Sequence, residues 1–308
     1  MIKQNAIITG ASGFLGQHIT PELERSHFVH ELKSDLRDHD AVAMEVLAHS
    51  PDIIVHLAAR TEVEQSFYEQ ITFSEVNYVG TVNLIEAATK IKNLKNFVFA
   101  STMEVYGWQP ISDEVEKKGI PDNFIAFDEN TLPNPNAPYA VAKYACEKYL
   151  EYANRCLGLP FTALRQTNCY GRKDNPFFVT EQIISQMLTN PNECNLGYGE
   201  PYRNFIYVDD MIDAWLSVIN NPDKCSDGNI FTIGPDYPIK IKDYAELIAK
   251  KLDWKGTINW DTKLFRAGEI YWLNSSNKLI TKKLGWKPKI SLNDGLDRTI
   301  EVWKNKLT

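Results

Sequence analysis

A hydroxyl, a carboxylate, a phenol and an ammonium occur in this chain at spacings that could move protons. The run Phe97-Val-Phe-Ala-Ser-Thr-Met-Glu-Val-Tyr-Gly107 begins as a continuous apolar stretch and stops at Ser101, Thr102 and Glu104. Such a stretch reads as a buried strand, and in an open parallel sheet reactants bind beyond the carboxyl ends of the strands. Further on, Tyr139 and Lys143 stand four apart in Pro138-Tyr-Ala-Val-Ala-Lys143, at the start of a helical pattern reaching about Cys156, and so share one helical face. An ammonium beside a phenol favours the phenolate, lowering the phenol's pKa so that its oxygen can take a proton near neutral pH. Each signal alone has a structural explanation, a polar strand end in one case and a chance spacing in the other. Their value depends on the elements that would bring them together.

Those elements alternate. Residues 5–9 read as a short buried strand, Gly10-Ala-Ser-Gly-Phe-Leu-Gly16 as a glycine loop, and the segment from Phe14 as a helix. Glycines there let the backbone turn tightly and approach a pyrophosphate, and the helix amino end offers free N–H groups to its charge. Pro21 conflicts locally with that helix, since an interior proline loses a hydrogen bond at a cost of roughly 3 kcal/mol. A second strand is expected over Phe28–Leu32, followed almost at once by Ser34-Asp-Leu-Arg-Asp38, with no room for a helix between the two. An acidic residue at that strand tip would select NAD and a basic one NADP. Here Lys33 and Ser34 hold the tip with Glu31 and Asp35 nearby, which leaves the choice open.

Pro51–Ala59 has the continuous apolar character of a strand covered on both faces, and Ala58 and Ala59 leave room for a coenzyme. Glu75–Ala88 carries apolar residues at helical spacing and leads into the strand that ends at Thr102. Alternation of this kind predicts an α/β fold, a doubly wound parallel sheet with right-handed crossovers. The polar segment from Trp108 to Pro138, with Phe124 and Phe127, is longer than an ordinary connection and is read as a lid or specificity insertion, or a passive surface loop.

With 308 residues, 44% of them hydrophobic, the chain can bury a substantial core in one large domain or two lobes. A net charge of −7 without long like-charge runs argues against nucleic-acid and polybasic membrane surfaces, so an anionic ligand must be held locally. Five cysteines without a CxxC pair argue against a disulfide framework or zinc site, and no metal is expected from the histidines, which lack ligand spacing. A reducing cytoplasm fits best. Neither a signal peptide nor a bilayer-spanning run is visible.

Together these motifs resemble the extended short-chain dehydrogenase/reductase family, in particular its nucleotide-sugar epimerases and dehydratases. The resemblance rests on GASGFLG, the HLAA at His56–Ala59, VNYVGT around Asn77, STMEVYG, YAVAK, QTNCYG at Gln166–Gly171, YRNFIYVDD at Tyr202–Asp210, and a closing pattern of Arg266 with the later Leu-Gly-Trp286 and Lys-Pro-Lys-Ile-Ser291. It implies a Rossmann-type unit over 1–170 with about 203–235, and a smaller substrate lobe over 171–202 and 236–308. It also implies NAD or NADP, tightly held and regenerated, at Gly10, Gly13, Phe14, Leu15, Gly16, Asp35, Leu36, Leu57, Ala58, Ala59, Asn77, Tyr139 and Lys143. Asp35 would lie beside the adenine, although a helix cap explains it equally well. Thr102 would orient the substrate oxygen whose proton Tyr139 removes, and Lys143 would hold the coenzyme ribose. A nucleoside-diphosphate sugar would be bound by Asn168, Arg203 and Arg266, with Leu196–Gly199 near the nucleotide and a homodimer formed through the helices near 75–90 and 140–156.

The reaction is narrowed by Glu104. In sugar 4,6-dehydratases a glutamate at the matching position removes the C5 proton of the 4-keto sugar, so the resemblance leans to a dehydratase. Met103, however, stands where many of those enzymes carry an aspartate acid. A 4-epimerase is the alternative, and an NADPH-dependent ketoreductase a further one, since the short segment after the second strand is similar to the reductase branch. A dinucleotide-sensing protein without catalysis fits poorly with an intact Tyr139–Lys143 pair.

Overall fold

The computed structural model describes residues 3–111, 114–115, 126–172, 175–235, 237–261 and 269–307. Its central sheet takes β1 (Gln4–Thr9), β2 (His27–Glu31), β3 (Ile53–His56), β4 (Asn96–Thr102), β5 (Phe161–Gln166) and β6 (Asp227–Ile233). The spatial order is β6-β5-β4-β3-β1-β2 and every neighbouring pair is parallel. The chain steps outward from β1 to β2 and then crosses back to β3, so the switch point of the sheet lies between β1 and β3, where open α/β sheets bind their ligands.

Every residue of β3 and β4 is buried, as a strand covered on both faces requires. One face is closed by α1 (Phe14–Glu24) and the helix Val208–Ile219, through Ile19, Leu23, Met211 and Trp215. The other is closed by α2 (His39–His49) and the helices Gly80–Thr89 and Pro138–Leu157, through Val42, Val46, Leu84, Cys146 and Leu150. A further apolar cluster, around Ile183, Tyr244, Leu296 and Trp303, packs the helices Val179–Thr189, Ile241–Leu252 and Leu292–Leu307. Among the described residues no helix is long and apolar enough to cross a membrane.

Helix α1 runs on through Pro21. The connection after β2 holds no helix as far as Asp38, but α2 then follows with Asp38 as its N-cap, the side chain accepting from the Ala41 N–H at 3.1 Å. Asp35 is therefore not the cap. Glu45 of α2 reaches back to the β2 tip and accepts from the Lys33 and Ser34 N–H groups, both at 2.9 Å, and from the Ser34 hydroxyl. Burial alone would raise its pKa, but these bonds and one to His30 hold it at about 2.

The helical pattern expected over 75–88 is interrupted. Gln70–Ser74 is α-helical, Glu75–Val79 forms a π-turn, and the α-helix resumes at Gly80. Asp210 fixes the backbone near the chain's end, accepting from the Lys289 and Ile290 N–H groups at 3.0 and 2.8 Å. In the long polar segment, Phe127 is buried against Tyr106 and bridges to Ser275, whereas Phe124 lies outside the described residues.

Candidate active site

A cleft of 1650 Å³ opens at the switch point and takes its walls from the carboxyl ends of β1, β3, β4 and β5 and from the segments beyond Tyr170. The glycine loop forms one end. Gly10 has φ +72°, and a Cβ there would meet the Ala58 nitrogen at 2.7 Å; one on Gly16 would fall 2.2 Å from the Gly10 oxygen. Only hydrogens fit, which brings the loop, the β3 end and α1 into direct contact. Gly13 is the N-cap of α1 and supplies no side-chain acceptor, so the N–H groups of Phe14, Leu15 and Gly16 have no intrahelical partner and are suited to an anionic group. Gly10, Gly13, Phe14, Leu15, Gly16, Leu57, Ala58 and Ala59 all line the cleft, an arrangement that fits a dinucleotide pyrophosphate.

Asp35, Leu36 and Asn77 are not among the lining residues. Asp35 is exposed and ion-paired with Arg37 at 2.6 Å, whose hydrogen bonds hold its carboxyl at about 2. Leu36 packs on Gly80. Asn77 is fully buried, with Oδ1 accepting from the Arg60 N–H at 2.8 Å and Nδ2 donating to the Arg60 carbonyl at 2.9 Å. It clamps the loop after β3 from the π-turn. A neighbouring relay does the same: the Thr81 hydroxyl donates to the Asn77 carbonyl, so it accepts from His56 Nε2, and His56 Nδ1 accepts from the Thr9 hydroxyl at 2.7 Å. Burial keeps His56 neutral, pushed down to about 3.

At the β4 end the backbone turns into a 3-10 helix, Met103–Tyr106, capped by the Thr102 hydroxyl, which accepts from the Glu104 N–H at 3.1 Å. Thr102, Glu104, Tyr139 and Lys143 are brought together along one wall of the cleft. Burial pushes the Tyr139 hydroxyl above its ordinary value; a hydrogen bond with Thr102 works against this, and the charges of Glu104 and Glu62 add to it. The depression expected from Lys143 is not found. Its ammonium donates to the Ala100 carbonyl at 2.8 Å and lies 4.7 Å from the centre of the Phe99 ring. Burial in turn lowers Lys143 to about 8.

Ser101, the residue before Thr102, also borders the cleft, but its hydroxyl points to the other face of the strand, as alternation demands. Its hydroxyl donates to the buried Glu147, which lies one helical turn beyond Lys143. Arg165 of β5 grips that carboxylate through Nε at 3.0 Å and Nη2 at 2.7 Å, and donates through Nη1 to the Tyr106 hydroxyl at 3.0 Å. Tyr106 passes the tie on to the Asp128 carbonyl at 2.6 Å. Glu62, Glu147 and Arg165 carried no sequence signal: they are far apart along the chain and outside the recognised motifs.

On the opposite wall, Asn168, Arg203 and the segment Leu196–Tyr198 line the cleft. Arg203 is braced by the Ile270 carbonyl at 2.6 Å and paired with Glu269 at 2.7 Å. Arg266 lies outside the described residues. Glu181, also at this wall, spends one oxygen on the Gly171 and Arg172 N–H groups, each at 3.0 Å.

A dTDP-D-glucose 4,6-dehydratase of Dictyostelium discoideum is 30% identical over 273 residues, covering 80% of this chain and 61% of that protein, so the chain spans less than two thirds of that relative. A putative UDP-glucose 4-epimerase of Methanocaldococcus jannaschii is 28% identical over 288 residues, covering 86% of this chain and 87% of the other. The solved UDP-glucose 4-epimerase of Thermotoga maritima, bound to UDP-glucose, superposes with a TM-score of 0.85 at 27% identity, covering 99% of this chain and 100% of that one. Residues 6–234 match a single family description from the first buried strand to the last strand of the sheet, and on that span the chain belongs to the NAD dependent epimerase/dehydratase family.

Proposed function

We propose that this protein is a nucleoside-diphosphate sugar 4,6-dehydratase. The observation that carries the reading is Glu104: a carboxylate two residues beyond Thr102, in the cleft, whose charge bears on the Tyr139 hydroxyl. A nicotinamide dinucleotide on the glycine loop supplies a hydride acceptor and, when oxidised, a positive charge. Tyr139 removes the proton from O4 of the sugar while Thr102 holds that oxygen by a hydrogen bond. Lys143, held by the Ala100 carbonyl, binds the ribose. The ketone formed at C4 acidifies the C5 hydrogen, and Glu104 takes it as water leaves C6. Asn168, Arg203 and Arg266 hold the sugar and diphosphate, a guanidinium offering several fixed donors to phosphate.

The unit over 1–170 with 203–235 carries the coenzyme in this reading, and 171–202 with 236–308 the sugar nucleotide. A homodimer is part of it: Ile71, Val79, Val141 and Tyr152 are exposed apolar residues on the helices around 70–89 and 138–157, and sedimentation of the chain in solution checks this. A 4-epimerase is the second reading, favoured by Met103, whose buried thioether gives no proton. Turnover of dTDP-glucose or UDP-glucose in heavy water separates the two. A 4-keto-6-deoxy sugar carrying deuterium at C5 is expected; a C4 epimer without solvent label would establish the epimerase.

A further inference from the structure

A dinucleotide brings its pyrophosphate into a cleft whose walls carry more carboxylates than cations. Among the described residues the lysine and arginine side chains of these walls are Lys143, Arg172 and Arg203, against Glu62, Glu64, Glu104, Glu181 and Glu269. The backbone N–H groups at the start of α1 offer partial charge alone. Lys143 is engaged at the β4 end by the Ala100 carbonyl, and Arg203 on the opposite wall is paired with Glu269. Arg172 is the cation that touches the glycine loop. Its guanidinium carbon stands 4.2 Å from the centre of the Phe14 ring, and Phe14 is the first residue of α1.

This side chain is built into place. Arg172 follows the short strand Asn168–Tyr170; its N–H donates to Glu181 at 3.0 Å, and its carbonyl accepts from the Trp303 indole at 2.8 Å. The guanidinium also lies over the ring of Phe178, 3.7 Å from its centre, and Phe178 is the N-cap of the helix Val179–Thr189. So close an approach over a ring uses the faces of a guanidinium, whereas its N–H donors lie in the plane and point outward from the edge. Among the described residues one of its nitrogens is hydrogen-bonded, Nη1 donating to the Cys169 carbonyl. Oε2 of Glu181 stands 3.9 Å from Nη1, near enough to favour the charge and too far to accept a hydrogen bond. A planar cation, its side chain 13% exposed, is thus fixed in the cleft wall beside the loop with donors left for a ligand.

We propose that Arg172 binds the pyrophosphate of the coenzyme, adding a full positive charge and in-plane N–H donors to the backbone groups of α1. On the proposed division of the chain, residue 172 belongs to the sugar-nucleotide half, so that half supplies a cation to the coenzyme half. The assignment rests on a dinucleotide lying along the glycine loop, and it is the same for a dehydratase and an epimerase.

The test is binding, followed by calorimetry on the full chain stripped of nucleotide. Wild type, Arg172→Met and Arg172→Lys are titrated with NADH or NADPH, whichever wild type holds more tightly, with ADP-ribose, which keeps the pyrophosphate and lacks the nicotinamide, and with UDP, which carries the diphosphate of a sugar nucleotide. Arg172→Met, which fills the space by the rings without charge, is expected to lose about 10–100-fold in affinity for the dinucleotide and ADP-ribose alike, and less than about 3-fold for UDP. Arg172→Lys keeps the charge without the planar fork and should lose about 3–10-fold for the same two ligands, which carries the test if the methionine variant does not fold. Unchanged dinucleotide affinity in the variants overturns the proposal, as does a loss for UDP as large as that for the dinucleotide. A lysine variant that binds more weakly than the methionine one overturns it too, because packing on Phe14 and Phe178 would then matter and charge would not. A wild type that binds neither dinucleotide nor ADP-ribose sinks the coenzyme site itself, an outcome visible without the variants.

Discussion

Two adjacent residues at the end of β4 face opposite environments. Ser101 looks into a dry network in which each charge has a fixed partner: Glu147 against Arg165, Arg165 against Tyr106, Tyr106 against the Asp128 carbonyl. Burial alone would lower Arg165, but the hydrogen bonds and charge of Glu147 hold it above its ordinary value, a permanently charged guanidinium. Thr102 looks into the cleft, where burial raises Tyr139 and lowers Lys143 towards neutrality. The rear network is built to stay in one state and the front one to change state, and the strand between them lets the first hold the second in place.

The largest effect expected from this contrast is at Arg165. Replacing it by methionine leaves the Glu147 carboxylate buried without its partner, which costs about 3–5 kcal/mol in denaturant unfolding, and adding Glu147→Leu should return much of that. A single-variant loss below about 1 kcal/mol would erase the distinction between the two sides. Next come the neighbours themselves. Thr102→Val should lower turnover about 10–100-fold with little change in melting temperature, whereas Ser101→Ala should cost about 1 kcal/mol of stability and leave turnover nearly unchanged. Matching profiles for the two variants would mean that the strand does not separate two duties.

The smallest effect is in pH. The charge on Lys143 is present below about 8 and is lost as pH rises through that value; Cys146 and Glu147 face it as groups that favour the charge, and neutral His56 lies on the β3 side. NADH binding, followed by fluorescence, should weaken about threefold or more from pH 7 to pH 9, and Lys143→Met should flatten the dependence. A wild-type affinity independent of pH over that range would remove Lys143 from coenzyme binding.

The parts of the site that could be read from the chain are those fixed by local geometry. Gly16 is demanded by contacts within one turn and Gly10 by its own positive φ, and Tyr139 and Lys143 share a face because the helix repeats every 3.6 residues. The parallel sheet followed from alternating elements. Helix α2 was not anticipated, since its apolar residues fall on several sides and bury only Val42 and Val46; Asp38 in capping position was the available signal. The orientation of Asn77 was out of reach because a π-turn breaks the helical count before it is complete. The ammonium of Lys143 was expected beside the phenol and instead binds a carbonyl of β4, an outcome set by strand and helix packing that no spacing rule contains. Glu62 and the Glu147–Arg165 pair meet only through the fold.

The π-turn at Glu75–Val79 has a meaning for length as well as for shape. The Gly80 N–H bonds to the Glu75 carbonyl, five residues back, so this stretch carries one residue more than an α-helix would need. Removing one residue there would let the segment close into a regular α-helix with the turns on either side kept in phase. Thr81 would still meet His56 and Gly80 would keep its seat against Leu36, but Asn77 would lose the position from which it clamps Arg60. The surplus residue is therefore a local insertion whose effect ends at the loop it holds, and a one-residue deletion is better tolerated here than anywhere else along the same helix.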